Sequence, residues 1–206
     1  MNRKIAMFGG SFNPVHNAHT NFADKVIKAF NLDELYIVPT YSSPHKTGKG
    51  MAEPIDRLKM CEIAFKNIDR VVVSDIEIKR CGKSYTCDTL KQLKTLYPDD
   101  TLYLVMGADM YITLSEWKNP LDIFKLAEII TFPRDDDCYQ ILKEYSEKFK
   151  ALGAVTHILN EPVFMLSSTE IRNNIHNKEF AVKNLNLDVY KYILKNKLYG
   201  VKSYEL

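Results

Sequence analysis

The stretch from Lys4 to Pro39 constrains the fold most. Lys4-Ile5-Ala6-Met7-Phe8 is a short apolar run suited to a buried first strand. Gly9-Gly10 follows at once, so the backbone can turn sharply and approach a ligand with no Cβ in the way. Beyond Pro14 the periodicity predicts a helix from about His16 to Phe30, with Phe22, Val26 and Phe30 spaced by four. Leu35-Tyr36-Ile37-Val38 then reads as a second strand closed by Pro39. A strand, a helix and a strand in this order form a βαβ unit with parallel strands. His16 and His19 lie three apart and share a face at the helix's positive end. A strand, a glycine turn and a helix start bearing two imidazoles make a phosphate site with built-in donors. Zinc ligation is the competing chemistry, but no third Cys, His or Asp stands at a supporting spacing.

The rest of the chain supplies elements and sites around this unit. Thr40 to Ala52 is a polar, basic loop containing Pro44, His45, Lys46, Gly48, Lys49 and Gly50. It reads either as a surface loop or as a lid bringing Lys46 to an anionic substrate. Pro54 suits a helix start, and Ile55, Leu58, Cys61, Glu62 and Phe65 follow a helical period that reads as scaffold. Val71 to Ile78 is predicted as a strand running to a sheet edge, because it begins apolar and alternates from Asp75. Ser84 to Leu90 opens a helix with Thr86 or Asp88 as N-cap.

Thr101 to Met106 is another buried strand, ended by Gly107-Ala108-Asp109. Ligands gather at strand carboxyl ends in open α/β sheets, which places Asp109 for a ribose hydroxyl. Trp117 stands among Ser115, Glu116, Lys118 and Asn119, surroundings that suit a partly exposed ring as well as a core one. Ile129 to Phe132 is a fifth strand, followed by Pro133-Arg134. The three aspartates 135–137 fit a solvated helix start better than a metal site. Val155 to Leu159 and Val163 to Leu166 are short strand candidates. Ser167-Ser168-Thr169-Glu170-Ile171-Arg172 carries an N-cap signature, and its amides, hydroxyls and Arg172 make a second anion site. Val189, Tyr190, Ile193, Leu194 and Leu198 recur at helical spacing, predicting a final packed helix.

Bulk properties exclude several classes. A chain of 206 residues fits one domain, 1–206, with a C-terminal helical part at about 167–199. The net charge of +2 is spread along the chain, which argues against nucleic acid as a partner. Cys61, Cys81, Cys87 and Cys138 form no Cys-x-x-Cys pair and read as reduced residues of a cytoplasmic protein. Met1 to Lys4 leaves no room for a signal peptide before the first strand, and no apolar run is long enough to span a membrane.

The Met7 to His19 stretch resembles the nucleotidylyltransferases of the α/β-phosphodiesterase superfamily, which carry Gly-Gly-Thr/Ser-Phe-Asp/Asn-Pro-x-His-x-Gly-His. Ser11 and Asn13 fit that pattern, and Ala18 stands where the family usually has glycine. Ser84-Tyr85-Thr86-Cys87-Asp88-Thr89-Leu90, Gly107-Ala108-Asp109 followed by Trp117, Ser167 to Arg172 and the Tyr192 to Tyr199 end extend the resemblance over nearly the whole chain. The implied fold is α/β, Rossmann-like and doubly wound, a mainly parallel sheet with helices on both faces. The motifs from Ser84 and at Trp117 point to the branch that joins ATP and nicotinate mononucleotide, giving nicotinate adenine dinucleotide and pyrophosphate.

That resemblance implies roles for individual residues. His16, His19, Lys46 and Arg172 would be catalytic, neutralising charge on the phosphates. Gly9, Gly10, Ser11, Phe12, Gly107, Asp109, Arg134, Ser168 and Thr169 would join His16, His19 and Arg172 in holding ATP. Asn13, His45, Lys46, Ser84, Tyr85, Thr86 and Trp117 would hold the mononucleotide. Mg²⁺ would arrive with ATP, no carboxylate cage being visible. The oligomeric state is left open, a homodimer being one option. The alternatives are a transferase acting on nicotinamide mononucleotide or phosphopantetheine, and a non-catalytic ATP-sensing module, which Ala18 alone favours.

Overall fold

The computed structural model describes residues 2–44, 50–133, 135–159 and 166–201. Strand β1 (Lys4–Gly10) leads through the glycine turn into helix α1 (Asn17–Phe30), and β2 (Glu34–Pro39) returns parallel to β1, completing the expected unit. Helix α1 buries Ala18, Phe22, Ala23, Val26 and Ile27 along one stripe and ends at Asn31, a residue type that tolerates the left-handed cap found there (φ 47°). Then come α2 (Pro54–Phe65), β3 (Val71–Val73), α3 (Ile76–Arg80), α4 (Thr86–Leu96) and β4 (Thr101–Val105). Helices α5 (Ala108–Ile112) and α6 (Pro120–Leu126) precede β5 (Glu128–Thr131), which is followed by α7 (Asp136–Ala151) and β6 (Thr156–Ile158). Helices α8 (Ser168–Asn174), α9 (Lys178–Asn184) and α10 (Leu187–Lys195) follow, and a C-terminal 3-10 turn (Leu198–Gly200) closes the described chain.

The six strands form one parallel sheet in the order β3-β2-β1-β4-β5-β6. This is the doubly wound, Rossmann-like order, and the chain reverses its march between β1 and β4. Alternation along β1 splits the core. Ala6 and Phe8 join Phe22, Val26, Met60, Cys61, Ile171 and Ile193 on one face. Ile5 and Met7 join Leu90, Leu93, Tyr111, Phe124 and Phe149 on the other. Successive side chains of a strand point to opposite faces, so a central parallel strand is apolar throughout because both faces are covered. No helix among the described residues is long and apolar enough to cross a membrane.

The structure corrects several expected elements. The Val71 to Ile78 strand stops at Val73, and the alternating Asp75-Ile76-Glu77-Ile78 lies at and in α3 instead. Ser74 Oγ accepts from Ile76 N (3.3 Å) and Lys79 N donates to Asp75 O (2.8 Å), so local bonds turn the chain out of the sheet. In α4 neither Thr86 nor Asp88 caps the helix; Tyr85 occupies the N-cap position and Asp88 pairs with Lys118 at 3.1 Å. In α2 the buried stripe is Arg57, Leu58, Met60, Cys61 and Phe65, while Ile55 is 64% exposed. Ser167 and Asp135 do cap α8 and α7, accepting from Glu170 N and Cys138 N. Of the Val163 to Leu166 candidate, 163–165 lie outside the described residues and Leu166 is not in a strand.

Candidate active site

A cavity of about 780 Å³ opens where β1 and β4 end, at the point where the winding reverses. Parallel strands present their carboxyl ends to such a crevice, and the following helices present their N-termini to it. Its walls bring together every candidate residue that the structure describes: Gly9 to Asn13, His16, His19, Ser84 to Thr86, Gly107, Asp109, Trp117, Ser168, Thr169 and Arg172. Arg134, His45 and Lys46 lie outside the described residues.

The glycine turn forms the floor. A Cβ on Gly10 would stand 3.2 Å from the Phe12 ring, closer than that ring allows without moving. Phe12 itself adopts a left-handed φ of 45°, uncommon for a bulky residue, and is 2% exposed. Its ring packs edge-on against Phe8 and His19, at 5.5 and 5.0 Å between centroids. Ala18, 8% exposed, lines the same cavity.

His16 caps α1 and is 4% exposed. Burial disfavours its imidazolium and lowers its pKa to about 4, so the ring is neutral at physiological pH. The His16 N–H donates to His19 Nδ1 at 3.2 Å. With Nδ1 accepting, the His19 proton sits on Nε2. The two rings stack 3.8 Å apart at 30°, an arrangement that two imidazolium charges would oppose. The pair therefore presents two ring N–H donors on one face of the helix start.

The opposite wall is α8. Ser168 Oγ donates to Pro14 O (2.9 Å), and Arg172 Nη1 donates to Asn13 O (2.8 Å) while Nη2 reaches Thr169 Oγ1 (3.1 Å). This guanidinium is thus aimed across the turn by two protein bonds. Trp117 is half-buried, as its polar neighbours suggested, and Lys118 lies 4.2 Å over the Tyr85 ring. Asp109 is exposed at the start of α5.

Two of the candidates hold the frame with their polar side chains. Asn13, 5% exposed, accepts at Oδ1 from Ala52 N (2.9 Å) and donates from Nδ2 to Gly50 O (3.3 Å). Ser84 Oγ accepts from Tyr41 N at 2.9 Å, tying the Ser84 to Thr86 turn to the segment after β2.

Three lining or supporting residues escaped the sequence reading. Arg57 is 1% exposed and donates to three carbonyls: Ser11 O (2.8 Å), Ala52 O (3.0 Å) and Tyr41 O (3.1 Å). The available signal was its position four before Cys61 and eight before Phe65, a charge on an apolar helix stripe. Glu77, 3% exposed, accepts from Thr89 Oγ1 (2.6 Å), which in turn accepts from Arg80 Nη2 (2.9 Å). Burial pushes the Glu77 carboxyl up, against the hydrogen bonds from Thr89 and Ser84. Lys118 gave no signal beyond its neighbour Trp117.

Among the described residues no three His, Cys, Asp or Glu cluster as a metal site. The donor set fits an anion rather than a resident cation.

The buried His16 makes stability depend on pH in a defined window. Its folded pKa of about 4 lies below the ordinary 6.5, so the unfolded chain takes the proton first. The stability contributed is complete above pH 6.5, is lost as pH falls to about 4, and changes no further below; the loss is roughly 3 kcal/mol. Urea unfolding of wild type and His16→Gln at pH 7 and pH 4 should show that the variant lacks this part of the decline. Equal declines would show that His16 is not buried as a neutral ring.

A cytidylyltransferase-like family model matches residues 7–174. A protein of Clostridium acetobutylicum named "probable nicotinate-nucleotide adenylyltransferase" is 38% identical over 200 residues, covering 96% of this chain and 99% of the relative. One of the same name from Fusobacterium nucleatum is 38% identical over 194 residues, covering 93% and 97%. The Plasmodium falciparum nicotinic acid mononucleotide adenylyltransferase, solved in complex with NaAD, superposes with a TM-score of 0.78 at 21% identity over 98% of this chain and 99% of that one, a likeness of fold. The chain belongs to the nicotinate-nucleotide adenylyltransferases, within the cytidylyltransferase-like family.

Proposed function

We propose that this protein transfers the adenylyl group of ATP to nicotinate mononucleotide, forming nicotinate adenine dinucleotide and pyrophosphate, a late step in NAD synthesis. The observation that carries this reading is the convergence of the glycine turn, the histidine pair, the Ser84 to Thr86 turn, Trp117 and the α8 wall on one cavity. Two anion-binding helix starts and a stacking ring suit two nucleotides meeting end to end.

The chemistry asks little of the protein beyond placement. A phosphate oxygen of the mononucleotide attacks the α-phosphorus of ATP, a new P–O–P bridge forms, and pyrophosphate leaves with the electrons of the broken P–O bond. No side chain forms a covalent bond. His16 and His19 donate to phosphate oxygens whose charge grows as phosphorus becomes five-coordinate. Arg172 offsets charge on the leaving pyrophosphate, with Ser168 and Thr169 beside it. Gly107 and Asp109 line the adenosine side, where Asp109 accepts from a ribose hydroxyl. Tyr85, Thr86 and Trp117 take the pyridine ring, and Lys46 with His45 from the 40–52 loop completes the mononucleotide side. Mg²⁺ would arrive with ATP and help offset the phosphate charge. The whole chain acts as one unit in this reading.

The ring substituent decides the substrate. The pyridinium cation is common to acid and amide, so stacking on Trp117 favours both alike. The amides at the start of α4 favour a carboxylate over an uncharged amide. A mismatched buried donor costs about 1–3 kcal/mol, so acid should exceed amide by roughly 10² in kcat/KM. Pyrophosphate release with a panel of mononucleotides measures this ratio. Trp117→Ala should raise KM for both substrates and leave the ratio near its wild-type value. Equal kcat/KM for acid and amide in wild type would move the assignment to the nicotinamide mononucleotide enzyme.

The donor pair makes a second expectation. His16→Ala should lower kcat by about 10²–10³ while KM for ATP changes far less, because the donor meets charge that develops in the transition state. An unchanged kcat in the folded variant would remove His16 from the mechanism.

A further inference from the structure

The C-terminal turn reaches back to the floor of the cavity. Tyr199 OH donates to Asn13 Oδ1 at 2.9 Å, across 186 residues of sequence. The same oxygen accepts from Ala52 N, and the other end of the carboxamide holds Gly50 O. The Asn13 main-chain carbonyl is the acceptor that aims Arg172. One buried residue thus joins the Gly50 to Ala52 segment, whose Met51 lines the cavity, to the arginine on the opposite wall.

The backbone is bent to make this contact. Lys197, Tyr199 and Gly200 all have left-handed φ, 51°, 58° and 76°. Two of these are not glycine, a conformation that persists only where surrounding contacts hold it. A second phenol of the same segment, Tyr192, donates to Asp56 Oδ1 at 2.8 Å, next to the Arg57 clamp. Burial raises the Tyr199 pKa, which keeps its hydroxyl a donor throughout the working pH range.

We propose that Tyr199 is a positioning residue for adenylyl transfer, its hydroxyl orienting the Asn13 carboxamide, which holds the Gly50 to Ala52 wall and fixes the residue whose backbone carbonyl aims Arg172. The proposal rests on the ATP-dependent reaction inferred above. Asn13 acts in it through the protein frame, its carboxamide being engaged by Tyr199, Ala52 and Gly50.

Tyr199→Phe keeps the ring and removes only the donor. Calorimetric titration with ATP should show affinity several-fold weaker than wild type, since the Asn13 backbone that aims Arg172 is less firmly held, and kcat for pyrophosphate release should fall about tenfold. A merely structural hydroxyl would lower the unfolding midpoint and leave both values at wild type, which overturns the proposal. A double-mutant cycle locates the path. In an Asn13→Ala background, Tyr199→Phe should change kcat/KM less than twofold, because the acceptor is gone. In an Asn13→Asp background, which keeps the acceptor and guards against misfolding of the alanine variant, the tenfold loss should return. Effects that multiply independently in the alanine background would overturn the path through Asn13. Wild type that binds ATP but releases no pyrophosphate with nicotinate mononucleotide would sink the functional reading alone, because the calorimetric comparison still decides Tyr199. Wild type that binds no ATP would overturn both.

Discussion

The buried guanidinium of Arg57 is the interaction on which the cavity depends. It donates to carbonyls of Ser11, Tyr41 and Ala52, three segments that no secondary-structure ladder joins at that point. Each carbonyl would otherwise be a turn or loop acceptor without a fixed partner, and a charged donor makes the stronger bond. Burial lowers the Arg57 pKa from its ordinary value, yet an arginine remains charged under such a shift. A fixed positive charge therefore stands behind the glycine turn, where polyanions would come closest.

Charge in the cavity is arranged so that little of it is lost to self-repulsion. Of the two imidazoles nearest the turn, His16 is a donor without charge because burial forbids the proton, and His19 is oriented by the His16 backbone N–H that its Nδ1 accepts. Arg172 stands on the opposite wall and Arg57 behind the turn, each oriented by backbone carbonyls. Donors held in place before the substrate arrives need no reorganisation when charge develops, which is the largest electrostatic advantage an enzyme can build.

Much of this was legible in the chain. Period and punctuation located β1, α1 and β2 and their parallel connection, and the family resemblance implied the doubly wound sheet that the strand order bears out. Spacing put His16 and His19 on one turn, and the Ser167 cap signature found α8. What escaped was decided by tertiary contact. The four alternating residues from Asp75 fit a strand as well as a helix, and local bonds at Ser74 and Asp75 settled the matter. Asn13 sits in the motif and in the cavity, but only the fold reveals that its carboxamide belongs to Tyr199, Ala52 and Gly50. Arg57 looked like one charge in a scaffold helix, and its three acceptors come from residues 5 to 46 positions away.

The central claim is that this cavity works by placing two phosphates in line, with no covalent intermediate on the protein. The direct measurement is the stereochemical course at the α-phosphorus, followed with ATP carrying a chiral α-phosphorothioate and nicotinate mononucleotide as acceptor. A single in-line displacement predicts inversion of configuration in the dinucleotide product. Retention would require two displacements through an enzyme-bound adenylyl group and would contradict the account.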